Sequence, residues 1–276
     1  MLQSIKRVRF HRSLAALATV VGVAAATSLL ASPFASAATA AVTLPPTHAN
    51  FDYQIGGAYT PPAGVTVVSR DREASPAAGL YNICYINAFQ VQPGAEEDWD
   101  SDLLLRDADG NVVYDEDWGE AMLDVSTTAK QRRIANKVNV WIDECAAKGF
   151  KAVEPDNFDS YTRSGGLLES SEAEAYIKLL SAHAHSRGLA IAQKNTAELA
   201  ENRVANGLDF AVAEECGEWE ECDTYTDAFG DNVIVIEYSK KGMSTACAGW
   251  GDQLSIVRRD TDVLPVGSAG YLRATC

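Results

Sequence analysis

The sequence predicts a single-domain α/β protein, a (β/α)8 TIM barrel. Three observations carry the prediction. Eight short runs, most of them apolar and several rich in Val and Ile, recur between Phe51 and Asp260, as in parallel strands covered on both faces. Stretches with an apolar spacing near 3.6 residues separate several of them. Each run also has polar or ionisable residues at or near its end, and in a barrel those ends converge on the face that holds the active site. A doubly wound open sheet is the competing architecture, but no G-x-G-x-x-G follows a strand, so dinucleotide binding has no support.

In chain order the strands are FDYQIGG (51–57), VTVVSRD (65–71), YNICYINAFQ (81–90) and KAVEPDN (151–157). LAIAQKN (189–195), FAVAEEC (210–216), VIVIEYS (233–239) and LSIVRRD (254–260) complete the set. A helix is expected from Thr128 to Lys148, with Ile134, Val138, Trp141, Ile142 and Cys145 on its apolar face. Gly149 is its cap. A second runs from Ser171 to Arg187, with Ser170 or Ser171 as N-cap and Gly188 as the stop. A shorter one spans Thr196 to Val204.

The N-terminus reads as a segment removed on export. Lys6, Arg7, Arg9 and Arg12 precede an Ala/Val/Leu run, and Ala35-Ser36-Ala37 fits a cleavage site. The competing reading is a membrane anchor. The expected domains are a secretory signal peptide over 1–37, a short disordered lead over 38–50 and the catalytic barrel over 51–276. The mature protein is then secreted and extracellular, off the membrane and monomeric. Its net charge falls from −15 to −19, because the leader holds four Lys/Arg and no Asp/Glu. Such a surface excludes nucleic acid as a partner. A cleft lined by one sign also concentrates ligands of the opposite sign.

Six cysteines in an exported chain point to three disulfides, with fifteen possible pairings. Cys216 with Cys222 is the local pair, Cys247 with Cys276 staples the C-terminus, and Cys84 with Cys145 remains. A zinc site is the alternative, but there is no C-x2-C, and His183 and His185 stand two apart on a helix. No metal and no cofactor are expected.

The strand ends narrow the chemistry. They carry Gln54, then Arg70 and Asp71, then Asn87 and Gln90. Glu154, Asp156 and Asn157 follow, then Lys194 and Asn195, Glu214 and Glu215, Glu237 and Tyr238, and finally Arg258 and Asp260. No G-x-S-x-G is present, and no Ser at a strand end has a plausible His partner. With the cysteines paired, no thiol nucleophile remains. Paired carboxylates suit glycoside hydrolysis, one protonating the leaving oxygen and the other attacking or activating water. A metal-dependent hydrolase of another bond would use the same acids as ligands, but Arg70, Lys194 and Arg258 would share its mouth. Those cations instead tune neighbouring acids. A non-catalytic polysaccharide-binding barrel is the further alternative. Tyr59, Trp118, Tyr161, Trp219, Tyr238 and Trp250 lie near strand ends or in loops and offer faces for sugar rings, with core or shell packing as the competing role.

The runs DYQIGGAY, VVSRDR, LYNICYINAFQ, EPDNFDSY, AIAQKN, FAVAEECGEWEEC and VIVIEY together resemble glycoside hydrolase family 114. The resemblance implies a secreted endo-α-1,4-polygalactosaminidase with a (β/α)8 barrel. Such an enzyme cleaves polygalactosamine or partly deacetylated galactosaminogalactan, a cationic or partly acetylated polysaccharide. It also implies a catalytic pair at Asp156 and Glu214, with Glu215 as the rival for the second position. Strand alternation puts Glu154 on the same side as Asp156, where it tunes it. The remaining expected substrate contacts are Gln54, Arg70, Asp71, Asn87, Asn157, Asp159, Tyr161, Lys194, Asn195, Glu215, Trp219, Glu237 and Tyr238.

Overall fold

The computed structural model describes residues 42–276. The expected signal peptide, 1–37, lies outside the described residues, as does the start of the lead. Over 42–50 the chain carries no helix or strand. It is nevertheless docked: Tyr81 Oη donates to Thr43 O at 2.6 Å, Ala49 N donates to Ser255 Oγ at 2.8 Å, and Val42 and Ala49 pack on the barrel interior. The expectation of a disordered lead gives way there to a segment with apolar and backbone partners. Among the described residues, no helix is long and apolar enough to cross a membrane.

All eight expected strands form. They are β1 (Phe51–Gln54), β2 (Val67–Asp71), β3 (Tyr81–Asn87), β4 (Ala152–Asp156), β5 (Ala190–Lys194), β6 (Phe210–Glu214), β7 (Val233–Glu237) and β8 (Ser255–Arg259). Each pairs in parallel with the next, and β9 (Arg273–Thr275) joins β8 antiparallel. The order brings β8 round beside β1, so the sheet is a nearly closed barrel. At the seam, Arg273 of β9 donates to Phe51 O at 2.9 Å and to Asp52 Oδ1 at 3.1 Å. A side chain thus satisfies the Phe51 carbonyl, which a strand ladder would otherwise pair.

Two cores follow from the strand period of two. Phe51, Tyr53, Val67, Ile83, Phe210 and Ile236 fill the barrel interior. The alternate residues, such as Cys84, Ile191 and Val235, face the helical layer with Ile134, Val138 and Tyr176. That layer contains α1 (Thr128–Lys148), α2 (Ser160–Arg163), α3 (Ser170–Ser186), α4 (Arg203–Asn206), α5 (Cys216–Trp219), α6 (Cys222–Phe229) and α7 (Lys240–Trp250). Helix α1 begins where Thr127 Oγ1 accepts from Lys130 N and ends at Gly149, whose φ of 97° needs a residue without a Cβ. Helix α3 starts one residue earlier than expected, with Glu169 as N-cap: Glu172 reaches back to accept from Glu169 N at 2.8 Å. This capping box outcompetes the serines. The expected helix over Thr196–Val204 is a 3-10 turn, Ala197–Asn202, followed by α4.

Helices follow β3 to β7, and plain loops follow β1 and β2. Between β3 and α1 the chain builds a small antiparallel sheet from Gln90–Val91, Tyr114–Asp115 and Glu120–Met122. Its short strands gave no clear period in the sequence. It matters because it carries Glu120 to the barrel mouth.

The disulfides are Cys84–Cys145, Cys216–Cys222 and Cys247–Cys276, the three expected pairs. The first ties β3 to α1, and the third ties α7 to the end of the chain beyond β9.

Candidate active site

The C-terminal ends of β4, β5 and β6 share one backbone device. Each strand ends on an inward-pointing residue, namely Asp156, Lys194 and Glu214. Each is followed at once by a residue of positive φ: Asn157 at 64°, Asn195 at 51° and Glu215 at 62°. Asn tolerates this left-handed conformation, whereas Glu adopts it at a cost held by its surroundings. The turn stops the strand's alternation at the point where an ionisable group faces the mouth. It also separates Glu214 from Glu215.

Lys194 is the hub of the site. Its Nζ lies 3.3 Å from Asp156 Oδ1, 3.2 Å from Glu214 Oε2 and 3.1 Å from Glu154 Oε1, and 2.9 Å from Tyr53 Oη. Burial works against its charge, but the carboxylates, Asp156 and Glu214 foremost, outweigh that and raise its pKa well above the usual lysine value. The side chains of Lys194 and Glu154 are 1 % and 0 % exposed, while those of Asp156 and Glu214 are 18 % and 21 % exposed. Only the latter two can meet a substrate. Glu154 sits beneath them, accepting from Tyr53 Oη at 2.8 Å and Ser69 Oγ at 2.6 Å. Burial raises its pKa, against the opposing charge of Lys194.

Further donors fix the exposed pair. Tyr85 Oη donates to Asp156 Oδ2 at 2.7 Å. Tyr238 Oη donates to Glu214 Oε1, and Asn195 Nδ2 to Glu214 Oε2 at 3.0 Å. Burial, then the facing carboxylate, raises both tyrosines well above their ordinary value, so they stay protonated donors.

A cavity of about 420 Å³ opens above this hub. Asp71, Asn157, Asp159, Asn195 and Tyr238 line it beside Asp156 and Glu214. A second cavity, of about 470 Å³, shares Trp118, Asp159, Asn195, Glu214 and Tyr238 with the first and continues past Glu215 and Trp219. The two form a groove with Glu214 in both walls. Another cavity, beside Tyr59, Pro61, Pro62 and Arg70, has no carboxylate in its wall and offers no acid–base pair.

The structure therefore gathers most of the expected site residues and sends five elsewhere. Gln54 and Arg70 face outward: Arg70 Nε donates to Gln54 Oε1 at 2.9 Å, and its other nitrogens bind Ser75 O and Tyr59 O. Glu237 is also outward and fully buried, accepting from Gly217 N at 2.7 Å. Each lies one residue out of phase with the inward set, which closeness to a strand end alone does not reveal. Tyr161 turns its hydroxyl to Glu198 and packs on the outer core, outside both cavities. Asn87 stands behind the wall, donating to Glu120 Oε2 at 2.7 Å.

Sequence reasoning missed Tyr85, Glu120 and Arg163. Tyr85 follows from alternation, two residues before Asn87. Arg163 pairs with Asp159 and Asp115, both at 2.6 Å, and no spacing rule pointed to it. Glu120 lies in the small sheet that sequence reasoning did not find.

A group of Cys216, Cys222 and Glu237 has metal-ligand proximity. Its two sulfurs are joined in a disulfide, so they offer no thiolate.

The family model of glycoside-hydrolase family GH114 matches residues 31–276. No curated protein matches the chain in sequence. Among solved structures, Ega3 of Aspergillus fumigatus, in complex with galactosamine, superposes with a TM-score of 0.70 at 21 % identity, covering 86 % of this chain and 98 % of that one. The glycoside hydrolase domain of PelA from Pseudomonas aeruginosa superposes with a TM-score of 0.53 at 14 % identity, covering 79 % and 96 %. These two likenesses concern the fold.

Proposed function

The chain belongs to glycoside-hydrolase family GH114, and from that premise we propose that it is an exported endo-acting enzyme cleaving α-1,4-linked galactosamine polymers with Asp156 and Glu214. The observation that carries the proposal is the single Lys194 ammonium that holds both carboxylates at the cavity floor. The galactosamine bound in the similarly folded Ega3 supports the substrate class. So does the net charge of −15, which attracts a polymer of cationic sugars. The N-terminal leader pattern and three disulfides support export.

In this reading one carboxyl protonates the glycosidic oxygen and the other attacks the anomeric carbon from the opposite face. Two oxygens at 3.3 and 3.2 Å from one nitrogen cannot be more than about 6.5 Å apart. Inverting enzymes need about 6.5–9.5 Å between carboxyl groups to fit a water, and retaining ones about 5–5.5 Å. A nearest-oxygen gap of at most about 6.5 Å is compatible with the retaining geometry, in which the carboxylate itself attacks, a covalent glycosyl intermediate forms and configuration is retained. Lys194 sets a positive charge 3.3 Å from Asp156 Oδ1 and 3.2 Å from Glu214 Oε2. Tyr85, Tyr238 and Asn195 hold the two groups in place, so little reorganisation is needed as charge develops.

The test is incubation of the mature protein with α-1,4-galactosamine oligomers and mass spectrometry of the products. Internal cleavage into shorter oligomers supports the reading. Oligomers left intact by folded protein exclude it.

A further inference from the structure

Glu120 is the most deeply buried acid in the wall of the catalytic cavity. Asp156 and Glu214 share Lys194, and Asp159 has Arg163 at 2.6 Å. Glu120, 9 % exposed, has no salt bridge among the described residues. Neutral amides hold it instead. Asn87 Nδ2 and Asn157 Nδ2 donate to its Oε2 at 2.7 and 3.2 Å, and Gln92 Nε2 donates to its Oε1 at 2.9 Å. A carboxylate accepts about four hydrogen bonds, so Oε1 retains one free acceptor direction. The side chain is part of the cavity wall, in the same cavity as Asp156.

Its electrostatics fit the same picture. Burial pushes its pKa up to about 7, against the Asn87 hydrogen bond, and the neighbouring Asp156 charge adds to the rise. Such a group gains most when a positive charge arrives. A sugar ring seated on Asp156 brings either an ammonium or, when acetylated, a neutral amide. Only the ammonium supplies the missing charge. Asn157 links the two acids mechanically. It is the residue after Asp156, and its side chain donates to Glu120 while accepting from Arg163 Nη2 at 3.2 Å.

We propose that Glu120 is the specificity-determining residue that receives the free 2-ammonium group of the sugar ring bound beside Asp156. This rests on the galactosamine reading above and adds to it the residue that distinguishes the amine from its N-acetyl form. Glu120 takes no part in bond cleavage.

The two monosaccharides, galactosamine and N-acetylgalactosamine, are not cleavable, so binding to the wild-type protein separates this proposal from the proposed activity. NMR titration of each sugar is the measurement. Wild type is expected to bind galactosamine more tightly than N-acetylgalactosamine. Loss of a charged hydrogen bond in Glu120→Gln weakens galactosamine binding by on the order of tenfold and leaves N-acetylgalactosamine nearly unchanged. Glu120→Asp, which keeps the charge, retains the preference for the amine. Equal affinity of wild type for both sugars overturns the proposal. So does a Glu120→Gln effect that is equal for both sugars or absent, or a preference lost as fully in Glu120→Asp as in Glu120→Gln.

Discussion

Asn195 clasps Glu214 from two sides: its Nδ2 donates to Glu214 Oε2 at 3.0 Å, and its Oδ1 accepts from Glu214 N at 2.8 Å. One side chain therefore fixes both the backbone and the carboxylate of a candidate catalytic residue. Its left-handed φ of 51° makes this reach possible. Asn195→Ala removes both bonds without removing either acid. The expected result is a fall in kcat of about 10- to 100-fold, as for the loss of a positioning contact, with KM changed less. Measured steady-state kinetics on galactosamine oligomers decide this, and an unchanged kcat would show the clasp to be idle.

Lys194 separates structural from catalytic electrostatics. In Lys194→Met the carboxylates of Glu154, Asp156 and Glu214 lose their common cation inside a cavity. Breaking a buried pair by removing one partner costs about 3–5 kcal/mol. Chemical denaturation should show that loss at neutral pH, along with lost activity. Acidification protonates the stranded Glu154, whose pKa burial already raises against the charge of Lys194, so the stability gap between variant and wild type should narrow towards pH 4. A gap that stays constant with pH would contradict the shared-cation account.

Glu237 gives a pH dependence of stability whose direction follows from its environment. It sits under α5 and α7, where Gly217 and Gly242 approach too closely to admit a Cβ. Its Oε2 has no hydrogen-bond partner. Burial pushes its pKa to about 7, against the Gly217 hydrogen bond, with the charges of Glu215 and Glu218 adding. The folded protein thus keeps a proton that the unfolded chain releases near pH 4.5. Stability is then greatest below that pH, as far as this group is concerned, and falls as pH rises towards 7. The full effect of such a shift is about 3 kcal/mol. Glu237→Gln mimics the protonated form and should flatten this part of the profile, with a higher Tm than wild type at pH 7.5. Parallel Tm profiles for the two proteins would refute the assignment.

The Cys247–Cys276 bond closes a loop of 29 residues and anchors β9, which carries Arg273 at the barrel seam. Replacing both cysteines by serine should lower unfolding free energy by about 3–4 kcal/mol on the loop-entropy model. Hydrogen exchange should rise first at β9 and Phe51. Uniform exchange across the barrel would mean that the seam is not held from this end.

Much of this was legible in the sequence. Eight apolar runs marked eight strands because a strand covered on both faces must be apolar nearly throughout. The acid at the end of KAVEPD and the first Glu of EEC proved to face one cavity, since the left-handed turns at Asn157 and Glu215 end each strand in the same phase. Gln54, Arg70 and Glu237 were misread for the complementary reason. They are as polar and as close to strand ends, yet one residue out of phase, and their buried partners come from distant loops. Glu120 was invisible because two- and three-residue strands carry no measurable period, so the small sheet that delivers it left no signal.

The proposed roles of Asp156 and Glu214 are decided by assaying Asp156→Asn and Glu214→Gln on α-1,4-galactosamine oligomers, with circular dichroism as the check on folding. Both variants should be folded, and each should lose oligomer cleavage. A folded variant of either residue that cleaves as fast as wild type would remove that residue from the pair.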